Sequence, residues 1–233
     1  LGVCAFINIA VVAIFINKKS KLPLLSWITF TGLPGVLIFF SGMRQCLAIS
    51  ITMLSTYWIE KKKPIKFVLT VLLAWTFHAS SILFLAAYPM YHIKLTDIKK
   101  AAFVIMIPAV YMMKGVLFPI LSRILKDDVE VENTGAGMLF VIFIGIYLVL
   151  IFLNSYTKKK EDGYINLFYI ACVCQAFSGL NQLVVRVGYY FMIYLIIALP
   201  NTIYGIKDDE KPLGGKAFMI GYAAVFGAFL LYG

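Results

Sequence analysis

The chain is predicted to be an all-α, polytopic integral membrane protein with about eight to nine apolar helical segments, one of them re-entrant. Three observations predict this. Of 233 residues, 62% are hydrophobic and only 14% charged, an apolar excess that excludes a water-solvated enzyme domain. The apolar residues fall into runs of helical membrane-crossing length. The 21 Lys and Arg exceed the 11 Asp and Glu, for a formal charge of +10, but they lie almost wholly in the loops between runs. The basicity therefore reads as membrane sidedness, with no nucleic-acid partner.

A hydrocarbon core about 30 Å thick takes roughly 20 apolar residues of helix, and only helices or closed barrels satisfy the backbone inside it. The runs fall at 1 to 17, 24 to 41, 43 to 59, 65 to 91, 101 to 120, 136 to 153, 164 to 181, 186 to 205 and 216 to 232. The first opens at Leu1 with no initiator Met and no basic leader, so 1-233 is expected to be a single multi-pass membrane domain that is N-terminally incomplete. Residues 24 to 59 would make about 54 Å of helix, too long for one crossing, so a turn is expected at Ser41-Gly42. Pro34, Pro108 and Pro200 sit inside runs and are expected to kink them. Cys4, Cys46, Cys172 and Cys174 all lie in apolar runs, without metal or disulfide spacing, and read as buried thiols.

The loops give the sidedness. Five are basic or mixed: Lys18 to Lys21, Lys61 to Lys66, Lys94 to Lys100, Lys158 to Lys160, and Lys207 to Lys216; one, Lys126 to Glu132, is acidic. Lysine clusters favour the cytoplasmic side, and simple alternation satisfies that everywhere except across 65 to 91. If that run crosses once, three of the five lysine-bearing loops lie outside. If it turns back near His78, all five lie inside and the acidic loop outside. The polar stretch Thr76-Phe77-His78-Ala79-Ser80-Ser81 suits a bend lined by protein or a watery cavity. The other geometry is one long tilted helix of about 40 Å.

Nearly all of the charges belong to loops. Arg44, Lys114 and Arg186 do not, and the titratable His78 joins them. Ionisable groups in a membrane span cost roughly 2.5 to 3.5 kcal/mol for Arg at a helix centre and are functional candidates by default. No Asp or Glu lies within an apolar run to balance these cations. A ligand anion, or the acidic loop folding back, must supply the counter-charge. Two planar guanidinium forks suit a diphosphate; each arginine, with Tyr189 and Tyr190 beside Arg186, also suits an interfacial anchor. Lys114 reads as a snorkelling lysine, and His92 as solvated beside Lys94. His78 reads either as a general base that takes a proton from an alcohol or as hydrogen-bonded helix glue. The thirteen residues from Lys66 to His78 make about 20 Å of helix, which leaves the imidazole some 10 Å short of the arginines at the outer boundary.

Through Gly42-Met43-Arg44-Gln45-Cys46-Leu47-Ala48, Phe77-His78-Ala79-Ser80-Ser81-Ile82 and Arg186-Val187-Gly188-Tyr189-Tyr190-Phe191, the chain resembles the EpsG family of exopolysaccharide and capsular polysaccharide polymerases, over residues 1 to 205. The resemblance implies a Wzy-like glycosyltransferase in the bacterial cytoplasmic membrane, its active site facing outward. Such an enzyme joins polyprenyl-diphosphate-linked oligosaccharide donor and acceptor units into exopolysaccharide, capsule or O-antigen. It implies no cofactor and no metal, with a chain-length regulator and a flippase as partners. Carried over, Arg44 and Arg186 would hold the diphosphate leaving group and His78 would activate the acceptor hydroxyl. Gln45, Ser80, Tyr189 and Tyr190 would be further substrate-binding residues. A lipid-linked oligosaccharide transporter or flippase would need the cations without the base. A membrane-bound O-acyltransferase would need the histidine without a diphosphate.

Overall fold

Lysine and proline punctuate the helices. In the computed structural model, which describes residues 2–33, 42–125, 138–157, 159–180 and 182–206, α1 (Gly2–Lys19) stops where its apolar run meets Lys18 and Lys19. Prolines open α2 (Pro23–Gly32) and α4 (Pro64–Phe77) in the first turn, where a missing N–H costs nothing and the fixed φ suits a helix. Between them, α3 (Met43–Glu60) ends in a tight reversal. Lys62 adopts a left-handed φ of 52°, its N–H donates to the Ile59 carbonyl at 2.9 Å, and the Lys63 N–H donates to Trp58 at 2.9 Å. This paired closure satisfies the last carbonyls of α3 and sends α4 back alongside it.

The run from 65 to 91 does not cross as one rod. α4 stops at His78, whose φ of −152° and ψ of 120° are extended, and a 3₁₀ helix (Ala79–Ala86) followed by α5 (Ala87–Tyr91) leads back. Near the foot of α4, the Phe67 ring meets Phe84 at 6.1 Å and Tyr88 at 5.5 Å. Both ends of the segment therefore lie at one end of the bundle and His78 at the apex. The single tilted helix is excluded.

The remaining helices are α6 (Asp97–Leu125), α7 (Met138–Ser155), α8 (Asp162–Gln175), α9 (Gln182–Met192) and α10 (Leu195–Gly205). The last two follow one another across a turn, and Val184–Gly205 is an apolar span that is 89% buried, against 11% for Asp97–Pro119. The α9–α10 rod is thus the axis of the bundle, and α6 lies on its periphery. Tyr194 anchors the core: its ring stacks on Phe84 and Tyr164, and its hydroxyl donates to the Thr52 carbonyl at 3.3 Å.

Among the described residues, three helices are long and apolar enough to cross a membrane: Gly2–Lys19, Asp97–Pro119 and Val184–Gly205. Pro64–Phe77, Ala79–Tyr91 and Leu139–Ser155 are shorter apolar helices. α3 carries too many polar residues to count by composition, yet Ser50, Thr52, Ser55 and Thr56 are buried. Their hydroxyls donate inside the bundle, Ser50 to Asn8 Oδ1 at 2.8 Å and the other three to carbonyls one turn back, which lets a polar helix sit in an apolar bundle. Pro34, the acidic loop 126 to 132, Lys158, the basic loop 207 to 216 and the run 216 to 232 lie outside the described residues. Cys46, Cys172 and Cys174 are buried as expected, whereas Cys4 is only half-buried because the outer face of α1 is open.

One end of the bundle gathers the lysines. Lys19 pairs with Glu60, joining the C-termini of α1 and α3, and Tyr164 Oη donates to Glu60 Oε1 at 2.6 Å. Asn201 of α10 accepts from the Lys21 N–H at 2.8 Å and donates to the Lys19 carbonyl at 3.0 Å. Asp162 accepts from the Leu95 N–H at 3.0 Å and from Asn154 Nδ2 at 2.7 Å. Lys100 bonds Asp97 and Ser155. Burial pushes the Glu161 carboxyl above its ordinary range, against the opposing pull of Lys159. All four described carboxylates are committed at this end.

Candidate functional site

At the opposite end, the second residue of α3 is Arg44, exposed in the first helical turn with Gly42 as the N-cap and no acidic residue nearby in that turn. The helix N-terminus already presents positive partial charge from its unpaired N–H groups. A guanidinium there opposes the helix dipole, a placement that favours a bound anion over stability.

His78 reaches the same level through the antiparallel pairing of α3 and α4. Arg44 stands 17 residues before Lys61, or about 25 Å along α3, and His78 stands 15 residues after Lys63, or about 23 Å along α4. By these lengths the arginine and the imidazole stand within a few ångströms of the same height, so the roughly 10 Å shortfall expected from sequence does not arise. At the apex the His78 N–H donates to Ala74 at 3.1 Å and its carbonyl accepts from the Ser81 N–H at 3.1 Å. This backbone clamp leaves the ring half-buried at the bend.

α9 supplies the third group. Val184, Val185 and Val187 are buried while Arg186 between them is exposed. The helix is seated tightly on α8 at Gly188, where an added Cβ would lie 3.0 Å from Cys174 Cβ. The charges that act on the His78 imidazole are the guanidinium groups of Arg186 and, more weakly, Arg44. Three groups far apart in sequence thus converge on one end of the bundle. Among the described residues, neither arginine has an ion pair, and the two salt bridges present, Lys19 with Glu60 and Lys100 with Asp97, belong to the lysine end.

The remaining sequence candidates sort differently. Gln45 is 5% exposed, and its Nε2 donates to the Arg186 carbonyl at 2.9 Å. Tyr190 is buried, and its phenol oxygen accepts from Ser80 Oγ at 3.5 Å. Tyr189 is half-buried three residues after Arg186, within reach of its charge. Arg44 and Arg186 are both exposed at this end of the bundle. Lys114 stands apart, its ammonium 4.2 Å from the centre of the Tyr111 ring on peripheral α6. His92 is exposed at the lysine end, edge-on to Tyr88 and Tyr91.

Sequence reasoning did not single out Ser81, whose hydroxyl is buried three residues beyond His78 with no hydrogen-bond partner among the described residues. The signal was present in the Ser80-Ser81 pair, but the sequence does not say which hydroxyl turns inward. No group of three His, Cys, Asp or Glu side chains that would hold a metal occurs among the described residues. Two exposed guanidinium forks on the same end as an imidazole, with no partner among the described carboxylates, are equipped to bind a multiply charged anion and to move a proton next to it.

No curated protein and no solved structure gives a match to this chain. The family model of the EpsG family matches residues 1–233, the whole chain and so every segment contributing to the site. With helices long and apolar enough to cross a bilayer and a match over its entire length, this membrane protein belongs to the EpsG family.

Proposed function

We propose that the protein is a Wzy-like polysaccharide polymerase, a membrane glycosyltransferase that joins oligosaccharide units carried on polyprenyl diphosphate. The observation that carries this reading is the convergence of Arg44, Arg186 and His78 at an end of the bundle where no described carboxylate answers the arginines. A diphosphate supplies the missing charge. The same end lies opposite the gathered lysines, which the positive-inside rule assigns to the cytoplasm, so the reaction belongs on the outer face of the cytoplasmic membrane.

In the step proposed, the acceptor hydroxyl oxygen forms the new bond to the anomeric carbon of the donor sugar. The bond from that carbon to the diphosphate oxygen breaks, and its electron pair leaves with the polyprenyl diphosphate. Arg44 and Arg186 neutralise the charge developing on the leaving group, where fixed cations act most strongly. Neutral His78 takes the hydroxyl proton. Tyr189, on the Arg186 side, offers an aromatic edge to substrate. Gln45, Ser80 and Tyr190 act behind these groups, on the protein side of the site.

The test is polymer synthesis by purified full-length protein from lipid-linked repeat units, resolved on a gel. A ladder of products is expected, and His78→Ala should slow it by about 10² to 10⁴, the usual worth of a general base. A ladder that survives His78→Ala but is lost in Arg44→Ala would favour a transporter or flippase of the same lipid. Modified single units without a ladder would favour acyl transfer.

A further inference from the structure

We infer that Gln45 is a positioning residue that fixes the span between the two guanidinium groups; the inference rests on the reading of Arg44 and Arg186 as a diphosphate clamp. Arg44 and Arg186 are exposed, and no described carboxylate holds either of them. Their separation is therefore set by the backbones that carry them. Gln45, adjacent to Arg44, is buried and donates its amide to the carbonyl of Arg186 itself, 141 positions away. That single bond ties the backbone next to one arginine to the backbone of the other.

The receiving helix is not free to drift. Gly188 seats α9 against Cys174 and Ala171 of α8, so the Arg186 carbonyl is a fixed reference and Gln45 suspends the start of α3 from it. Gln45 itself is too enclosed to reach a substrate. A diphosphate must be gripped by both forks at once, whereas a single phosphate is satisfied by either. Loss of the strut should therefore act selectively on the ligand that needs both.

The experiment uses the full chain in lipid nanodiscs and measures binding of methylenediphosphonate and inorganic phosphate by calorimetry. Gln45→Met keeps the side-chain length and removes the donor; Gln45→Asn keeps the amide but falls one methylene short of the carbonyl. Wild-type protein is expected to prefer the diphosphonate. Either variant should lose about tenfold of that preference, as expected when one of two pre-organised charge-assisted contacts is misplaced, with phosphate affinity unchanged. Equal weakening of both ligands, or an unchanged preference, would overturn the positioning role. A wild-type protein that does not distinguish the two would overturn the clamp and, with it, the function proposed above. If Gln45→Met does not fold, Gln45→Asn decides alone.

Discussion

Arg44 is a residue placed against its own stability. It sits in the first turn of α3, where a cation opposes the helix dipole, and it shares the His78 neighbourhood with a second cation, Arg186. Removing it should relieve that repulsion. Arg44→Ala is expected to raise stability by about 0.3 to 1 kcal/mol while abolishing polymer synthesis, read by thermal melting in detergent and by the gel assay. Arg44→Lys should keep the charge but lose the planar fork, leaving synthesis roughly tenfold or more below wild type. A destabilised Arg44→Ala would mean that the arginine holds the fold. Arg44, His78 and Arg186 could be singled out in the sequence because unbalanced charge in apolar runs is a local property. The bond from Gln45 to Arg186 could not, since a glutamine in the first turn of a helix looks the same whether its amide meets a sugar or a distant carbonyl.

At the scale of elements, the α3–α4 reversal depends on Lys62 in a left-handed conformation that costs an L-residue roughly 1 to 2 kcal/mol. Lys62→Gly should relieve part of this and raise stability by up to about 1 kcal/mol, less what the glycine adds to the unfolded chain's entropy. A lower melting temperature in detergent would show that the lysine side chain contributes more than its backbone strain. The return of the 65 to 91 segment was readable from loop charges alone, because one extra crossing would invert the sidedness of three lysine loops. Its form was not. A 3₁₀ run of eight residues is unusual, and it leads into α5, whose Pro89 has no N–H to give the Leu85 carbonyl. Composition registers that proline but not which hydrogen-bond register the preceding turns choose.

For the whole molecule, the described lysine clusters at the end of α1, in the α3–α4 turn, in the loop after α5, at the start of α6 and in the loop before α8 share one end, while the arginine pair and His78 mark the other. A cysteine introduced at Lys99, in a background with Cys4 replaced by Ser, should be modified by a membrane-impermeant thiol reagent only after the cells are opened. Labelling from outside intact cells would reverse the sidedness proposed for the site. By itself, the sequence determined the helical membrane class, the clustering of positive loops and the few cations out of place, because hydropathy and charge partition are sums along the chain. Only the tertiary structure decided that Arg44, His78 and Arg186 share one end of the bundle, that both arginines are exposed, and that Gln45 and Tyr190 are engaged within the protein. Those outcomes depend on the relative rotation and height of helices separated by long stretches of chain, which are fixed by side-chain packing and the close seat at Gly188 rather than by any local pattern.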